Sequence, residues 1–120
     1  MKNIFKILIL IPLFATAQTT DSVYNYLQQI GVKHADIVTK QAILETGHFK
    51  SYSCRVRNNL FGLTRNHKLE SFDNWMDSCH AYKNWIQYKY KGGCYYDFLY
   101  ELGYATDPKY IQKLHKIKLL

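Results

Sequence analysis

The sequence is poor in proline, in acidic residues and in paired cysteines, and each shortage excludes something. Two prolines occur in 120 residues. With no Pro/Ser-rich tract, low-complexity segment or internal repeat, nothing divides the chain with a linker. Cys54, Cys79 and Cys94 include no C-x-x-C pair, and no two of the five histidines lie three or four residues apart. The ligand spacing of a zinc site is therefore missing. An oxidising compartment would permit one disulfide, in any of three pairings, with one thiol left over; free buried thiols that help fill a core are an equal alternative. Acidic residues number 9 against 16 Lys and Arg, for a formal charge of +7. This modest excess fits an anionic partner but does not choose among polymer, lipid and nucleic acid. Like charges form no blocks and 48% of the residues are hydrophobic, which excludes disorder.

No apolar run is long enough to span a bilayer. Ile7 to Phe14 follows Lys2 and Lys6 and precedes Ala15-Thr16-Ala17. Together these read as a secretory signal peptide over residues 1–17, and no cysteine follows at once to take a lipid. The predicted location is secreted or periplasmic, without stable membrane insertion once the signal is removed. Losing Lys2 and Lys6 leaves 14 basic against 9 acidic residues in 18–120. That length suffices for one small domain, expected to be a monomer.

Helical periodicity runs through nearly all of that domain. Thr20 or Asp21 can cap a first helix with Val23, Leu27 and Ile30 on one face, ended by Gly31. A second helix is predicted from about Ala35 to Thr46, stopping at Gly47. Phe49 to Asp73 is irregular. Asp73 or Asn74 then caps a third helix with Trp75, Cys79, Tyr82, Ile86 and Lys89 along one stripe. Tyr95, Leu99 and Leu102 mark a short helix closed by Gly103. Asp107-Pro108 is a start signal for a last helix with Ile111, Leu114 and Ile117 inward. Sustained period-two alternation is absent, so any strand is confined to the irregular stretch. The fold class is mostly α, with little or no sheet.

One residue on the second helix is out of place. Val38, Ala42, Glu45 and Phe49 share a face, and three of the four are apolar. A glutamate on an inward face loses hydration, which raises its pKa, and the negative end of the helix dipole beside Gly47 pushes the same way. Both effects suit a carboxylic acid that donates a proton. The competing explanation is an ion pair with Arg55, Arg57 or Arg65 from the following loop, and periodicity does not separate the two.

Around that glutamate the sequence resembles a known family. Gln41-Ala42-Ile43-Leu44-Glu45-Thr46-Gly47 and Asn58-Asn59-Leu60-Phe61-Gly62-Leu63 are similar to segments of the glycoside hydrolase family 73 glucosaminidases. Phe72-Asp73-Asn74-Trp75 with Ser78 and Tyr82, Tyr95 to Leu99, and Gly103-Tyr104-Ala105-Thr106-Asp107-Pro108-Lys109-Tyr110 follow in the family's order, so the likeness covers roughly 30 to 117. The resemblance implies a lysozyme-like helical fold with a glycan-binding groove. It also implies hydrolysis of the β-1,4 bond after N-acetylglucosamine in peptidoglycan, with Glu45 as general acid and no metal or organic cofactor. Tyr104 would help hold the sugar, and Asn59, Phe61 and Gly62 would shape the groove floor. Phe61 and Tyr104 have faces on which a pyranose can stack, and Gly62 allows a backbone turn close to sugar. Core packing suits Leu63 better, Tyr110 fits core and groove lining equally, and Asp107 is better explained as a helix cap.

Glycosidases ordinarily use two carboxylates. Many relatives carry the second on a long hairpin after the Asn-Leu-Phe-Gly turn, but here only Thr64 to Ser71 separates Leu63 from Phe72. The expected hairpin is absent or very short, and Glu70 is the sole carboxylate within it. Glu70 is the candidate for orienting the attacking water; otherwise the substrate's own N-acetyl group would assist. Four rival readings have weaker support. A glycan-binding module that cuts nothing would account for an uncertain second carboxylate, though not for an unpaired inward Glu45. Membrane binding would rest on Lys113, Lys116 and Lys118 interleaved with Leu114, Ile117 and Leu119, more simply the solvated face of a packed helix. A thiol hydrolase would need a cysteine activated by histidine, and nucleic-acid binding has only net charge in its favour.

Overall fold

The computed structural model describes residues 18–119; the expected signal peptide lies outside them. Six α-helices and one two-stranded hairpin make up the described chain: α1 (Thr20–Gln29), α2 (Ala35–Thr46), α3 (Tyr52–Arg57), β1 (Thr64–Arg65), β2 (Lys68–Leu69), α4 (Trp75–Trp85), α5 (Tyr95–Leu102) and α6 (Tyr110–Lys116). The mostly-α expectation holds. Both strands fall inside the irregular stretch, paired antiparallel with Thr64 opposite Leu69. Asn66 and His67 turn the hairpin with φ of 53° and 64°, the primed-turn geometry that matches strand twist.

The centre of the molecule is α2, which packs against α1 and α6. It buries Ile37, Val38, Ala42 and Ile43 together with Thr39, Gln41 and Thr46, so it is enclosed on nearly all sides rather than along one stripe. Each fully buried aliphatic side chain contributes about 1.5–3 kcal/mol. Gly47 ends the helix in the left-handed region (φ 55°) and donates its N–H to the Ile43 carbonyl, as expected of a glycine cap. Thr46 Oγ1 donates to the Ala42 carbonyl at 2.6 Å and accepts from the Phe49 N–H at 2.7 Å, folding the next segment back. Phe49 therefore reaches the core from a loop and not, as its spacing suggested, from the helix face.

Other boundaries moved for local reasons. Thr19 caps α1, its hydroxyl accepting from the Ser22 N–H while Ser22 Oγ accepts from the Thr19 N–H. Asn74 caps α4 as expected, but the α-helix stops at Trp85 and a 3₁₀ turn carries Gln87–Lys89. Residues 52–57 form a short helix capped by Ser51 that the sequence pattern did not reveal. Asp107 does not cap the last helix. Its carboxylate accepts from the Lys109 N–H and pairs with Lys113 at 2.6 Å, so Asp107 and Pro108 form a turn and α6 begins at Tyr110. Ile111 and Ile117 are half-buried, while Tyr110 and Leu114 supply the buried face.

Candidate active site

Glu45 sits in the last turn of α2, half-buried, facing the loop between α3 and β1. That loop is built around Asn59, which is 2% exposed. Its Oδ1 accepts from the N–H groups of Phe61 and Leu63, and its Nδ2 donates to the carbonyls of Leu63 and Glu70. The side chain thus uses both ends of its amide to fix the turn and tie it to the hairpin. At the tip, Gly62 has φ 66°, and a Cβ added there would lie 2.9 Å from Glu45 Oε1. Two demands meet at Gly62: a left-handed backbone and room for a carboxylate.

Tyrosines close the other side. Tyr104 donates its hydroxyl proton to the Phe61 carbonyl at 2.5 Å, and its ring stacks on Tyr110 with centroids 5.7 Å apart. Tyr110 is buried, its hydroxyl accepts from Gln41 Nε2 at 3.2 Å, and it lies close enough to bear on the Glu45 carboxyl. Burial raises the Glu45 pKa above the ordinary carboxyl range, and the Tyr110 hydroxyl opposes this with a smaller effect. No described arginine pairs with Glu45; Arg65 instead pairs with Glu70 at 2.9 Å. Two concavities of roughly 300 Å³ flank Tyr104, one touching Gly62, Trp85 and Lys89 and the other Thr106, Pro108 and Ile111.

The sequence-derived candidates therefore divide. Glu45, Gly62, Tyr104 and Tyr110 converge on one place. Asn59 acts through its hydrogen bonds within the loop. Phe61 is a correction: it is 0% exposed with its ring against Tyr82 at 4.8 Å, so it has no face free for a sugar. Leu63 is buried as core. Glu70 is at the hairpin base, with Oε1 accepting from the Ser71 N–H and Oε2 on Arg65. Arg65 also lies over the Trp85 ring at 4.7 Å, joining the hairpin to the end of α4.

The sequence passes over Gln41. It lies four residues before Glu45 on a helix, so the two share a face, and a glutamine there is as anomalous as the glutamate. The cysteines are free: Cys54 and Cys79 are buried and Cys94 is exposed. Burial pushes the Cys79 thiol up to about 12, which makes it a poor nucleophile. Among the described residues no group of three His, Cys, Asp or Glu side chains is placed to hold a metal, and no helix is long and apolar enough to cross a membrane.

A half-buried carboxyl with a raised pKa and one phenolic donor is equipped to hold a proton and release it to a bound oxygen. Sequence comparison points the same way. A family model described as glucosaminidase, mannosyl-glycoprotein endo-beta-N-acetylglucosaminidase, matches residues 20–118. No curated protein and no solved structure gives a significant match.

Proposed function

The chain belongs to the mannosyl-glycoprotein endo-beta-N-acetylglucosaminidase family, and from that premise we propose that it hydrolyses the β-1,4 bond after N-acetylglucosamine in peptidoglycan, with Glu45 as general acid. Membership supports glycoside hydrolysis of a glycan substrate. The observation that carries the finer reading is the half-buried Glu45 carboxyl, set against Gly62 and beside Tyr110 and free of any described cation. Protonated, it can give its proton to the glycosidic oxygen as the bond breaks. Tyr104, beside Gly62 and between the two concavities, is the proposed sugar contact; Asn59, Phe61 and Tyr110 would serve from beneath by holding the loop and the acid. Secretion or periplasmic residence, with cleavage after Ala17, and action as a monomer belong to the same proposal.

Glu70 is proposed to orient the attacking water. Arg65 holds Oε2 and the Ser71 N–H holds Oε1, which fixes the plane of the carboxylate and sets the directions of its remaining lone pairs. Glu70→Gln is expected to lower kcat roughly 100-fold. An unchanged kcat would remove Glu70 from the mechanism and leave the substrate's N-acetyl group as the internal nucleophile.

The direct test is digestion of purified peptidoglycan with mass spectrometry of the reduced products. New N-acetylglucosamine reducing ends support the proposal. Retained binding to sacculi with no release would replace it with a glycan-binding module. The basic excess, 14 against 9 without Lys2 and Lys6, adds an expectation. Attraction to an anionic wall acts over about 30 Å at 0.01 M salt and about 3 Å at 1 M. Sacculus binding should therefore weaken steeply across that range, and salt-independent co-sedimentation would rule out the electrostatic contribution.

A further inference from the structure

We infer that Gln41 is a positioning residue: it is the central link in a one-way chain of buried hydrogen bonds that starts at the Lys33 backbone and aims the Tyr110 hydroxyl at Glu45. The inference rests on the proposed role of Glu45 only for what the aimed carboxyl does.

The direction of every link is forced from the far end. Gln87 accepts from the Lys33 N–H at 2.9 Å and donates to the Lys33 carbonyl at 2.5 Å. A backbone N–H cannot accept and a carbonyl cannot donate, so the orientation of the Gln87 amide is fixed. Its Nε2 also donates to the Tyr95 hydroxyl at 3.1 Å. The single Tyr95 proton then goes to the Tyr82 oxygen at 2.7 Å. Tyr82 donates to Gln41 Oε1 at 2.5 Å, and this fixes the second amide with Nε2 toward the Tyr110 oxygen at 3.2 Å. Tyr110 accepts from Gln41 and donates to no other described side chain, which leaves its proton for Glu45, the carboxyl that bears on it. Turning any member over would set two donors or two acceptors against each other in the interior.

The chain is dry. Gln41 and Tyr82 are 0% exposed, Tyr95 1%, Tyr110 7% and Gln87 8%, and no described buried side-chain polar atom lacks a partner. Donors aligned head to tail in a low dielectric polarise one another, so the last donor binds its acceptor more strongly than an isolated phenol would. The titratable groups that bear on Glu45 are Tyr110 and Tyr104, both phenols that burial keeps neutral. The chain therefore has no charged competitor at its end. The five members come from α2, α4, the 3₁₀ turn after it, α5 and α6, and Gln41 alone connects the Tyr82 side to the Tyr110 side.

The experiment reads the Glu45 carboxyl directly. The chain has three glutamates, Glu45, Glu70 and Glu101, so carboxyl-13C-glutamate labelling gives three NMR titrations, with Glu45→Gln identifying its own. Tyr110 donation lowers the Glu45 pKa, so weakening it must move the Glu45 midpoint upward. Gln41→Met, close in shape and unable to take either link, is expected to shift it up. Tyr82→Phe, which removes one oxygen two links away, should shift it up by less. Tyr110→Phe sets the ceiling, and adding Gln41→Met to it should cause no further shift. On peptidoglycan, Gln41→Met is expected to lower kcat about tenfold with KM little changed. If the Glu45 midpoint stays put in Tyr82→Phe and in folded Gln41→Met while Tm falls, Gln41 only packs and the inference is overturned. The titration needs no turnover: a wild type that cuts nothing overturns the hydrolase reading, while the midpoints still decide the chain.

Discussion

Glu45→Gln protein is expected to release peptidoglycan fragments roughly 100- to 10,000-fold more slowly than the wild type, the range contributed by a general acid. The replacement keeps the shape of the side chain and still offers Tyr110 an oxygen to donate to, so loss of the transferable proton is the chief change. The same substitution should raise Tm at pH values above the folded-state pKa of Glu45. Burial lifts the Glu45 pKa in the folded protein above its unfolded value, so the folded state holds the proton more tightly. The associated stability is complete below the unfolded pKa and is lost as pH rises through the folded one. Above its folded-state pKa the wild type carries a desolvated charge that glutamine does not. Hydrolysis by the wild type should fall on the alkaline side as Glu45 ionises, while the Tm advantage of the glutamine variant over the wild type grows across the same interval. A variant with normal turnover, or a Tm advantage that fails to grow as pH rises with the fold intact, would contradict this account.

Gly62→Ala is the second large effect. The left-handed backbone at φ 66° costs an alanine about 1–2 kcal/mol. More damaging is the contact, because the new methyl would stand 2.9 Å from Glu45 Oε1 and one of the two must move. A shift of the acid by about 1 Å can cost 100-fold in rate, so kcat should fall by about that much. Gly47→Ala separates strain from crowding. It has φ 55° with nothing within 4 Å of an added Cβ, and is expected to lose comparable Tm while retaining most activity. Equal activity losses at the two glycines would mean that backbone strain, not crowding of the carboxylate, sets the rate.

What was readable in advance depended on how local the physics is. The bounds of α2 and the closing of α5 at Gly103 follow from helical periodicity and from glycines that adopt positive φ. Glu45 stood out because a carboxylate on an apolar face is anomalous within its own helix. The turn at Asp107 is not legible because one carboxylate suits a cap or a turn equally, and Lys113, six residues on, decides between them. Phe61 lost its assigned role to Tyr82, which is distant in sequence and takes its ring face. The role of Gln41 is hidden for the same reason: its two partners come from α4 and α6, and nothing within α2 identifies them.

The bonds made by Asn59 have a consequence for recognition. The loop beside Glu45 has its Phe61 and Leu63 amides and the Leu63 carbonyl answered from inside, and Tyr104 takes the Phe61 carbonyl. A segment held this way has little left to order when a ligand arrives, so the entropy that a floppy lid would lose on closure has already been lost in folding. Affinity then depends on how well the incoming ring fits a fixed contour. Selectivity is exercised at first contact, as by a die rather than a clasp.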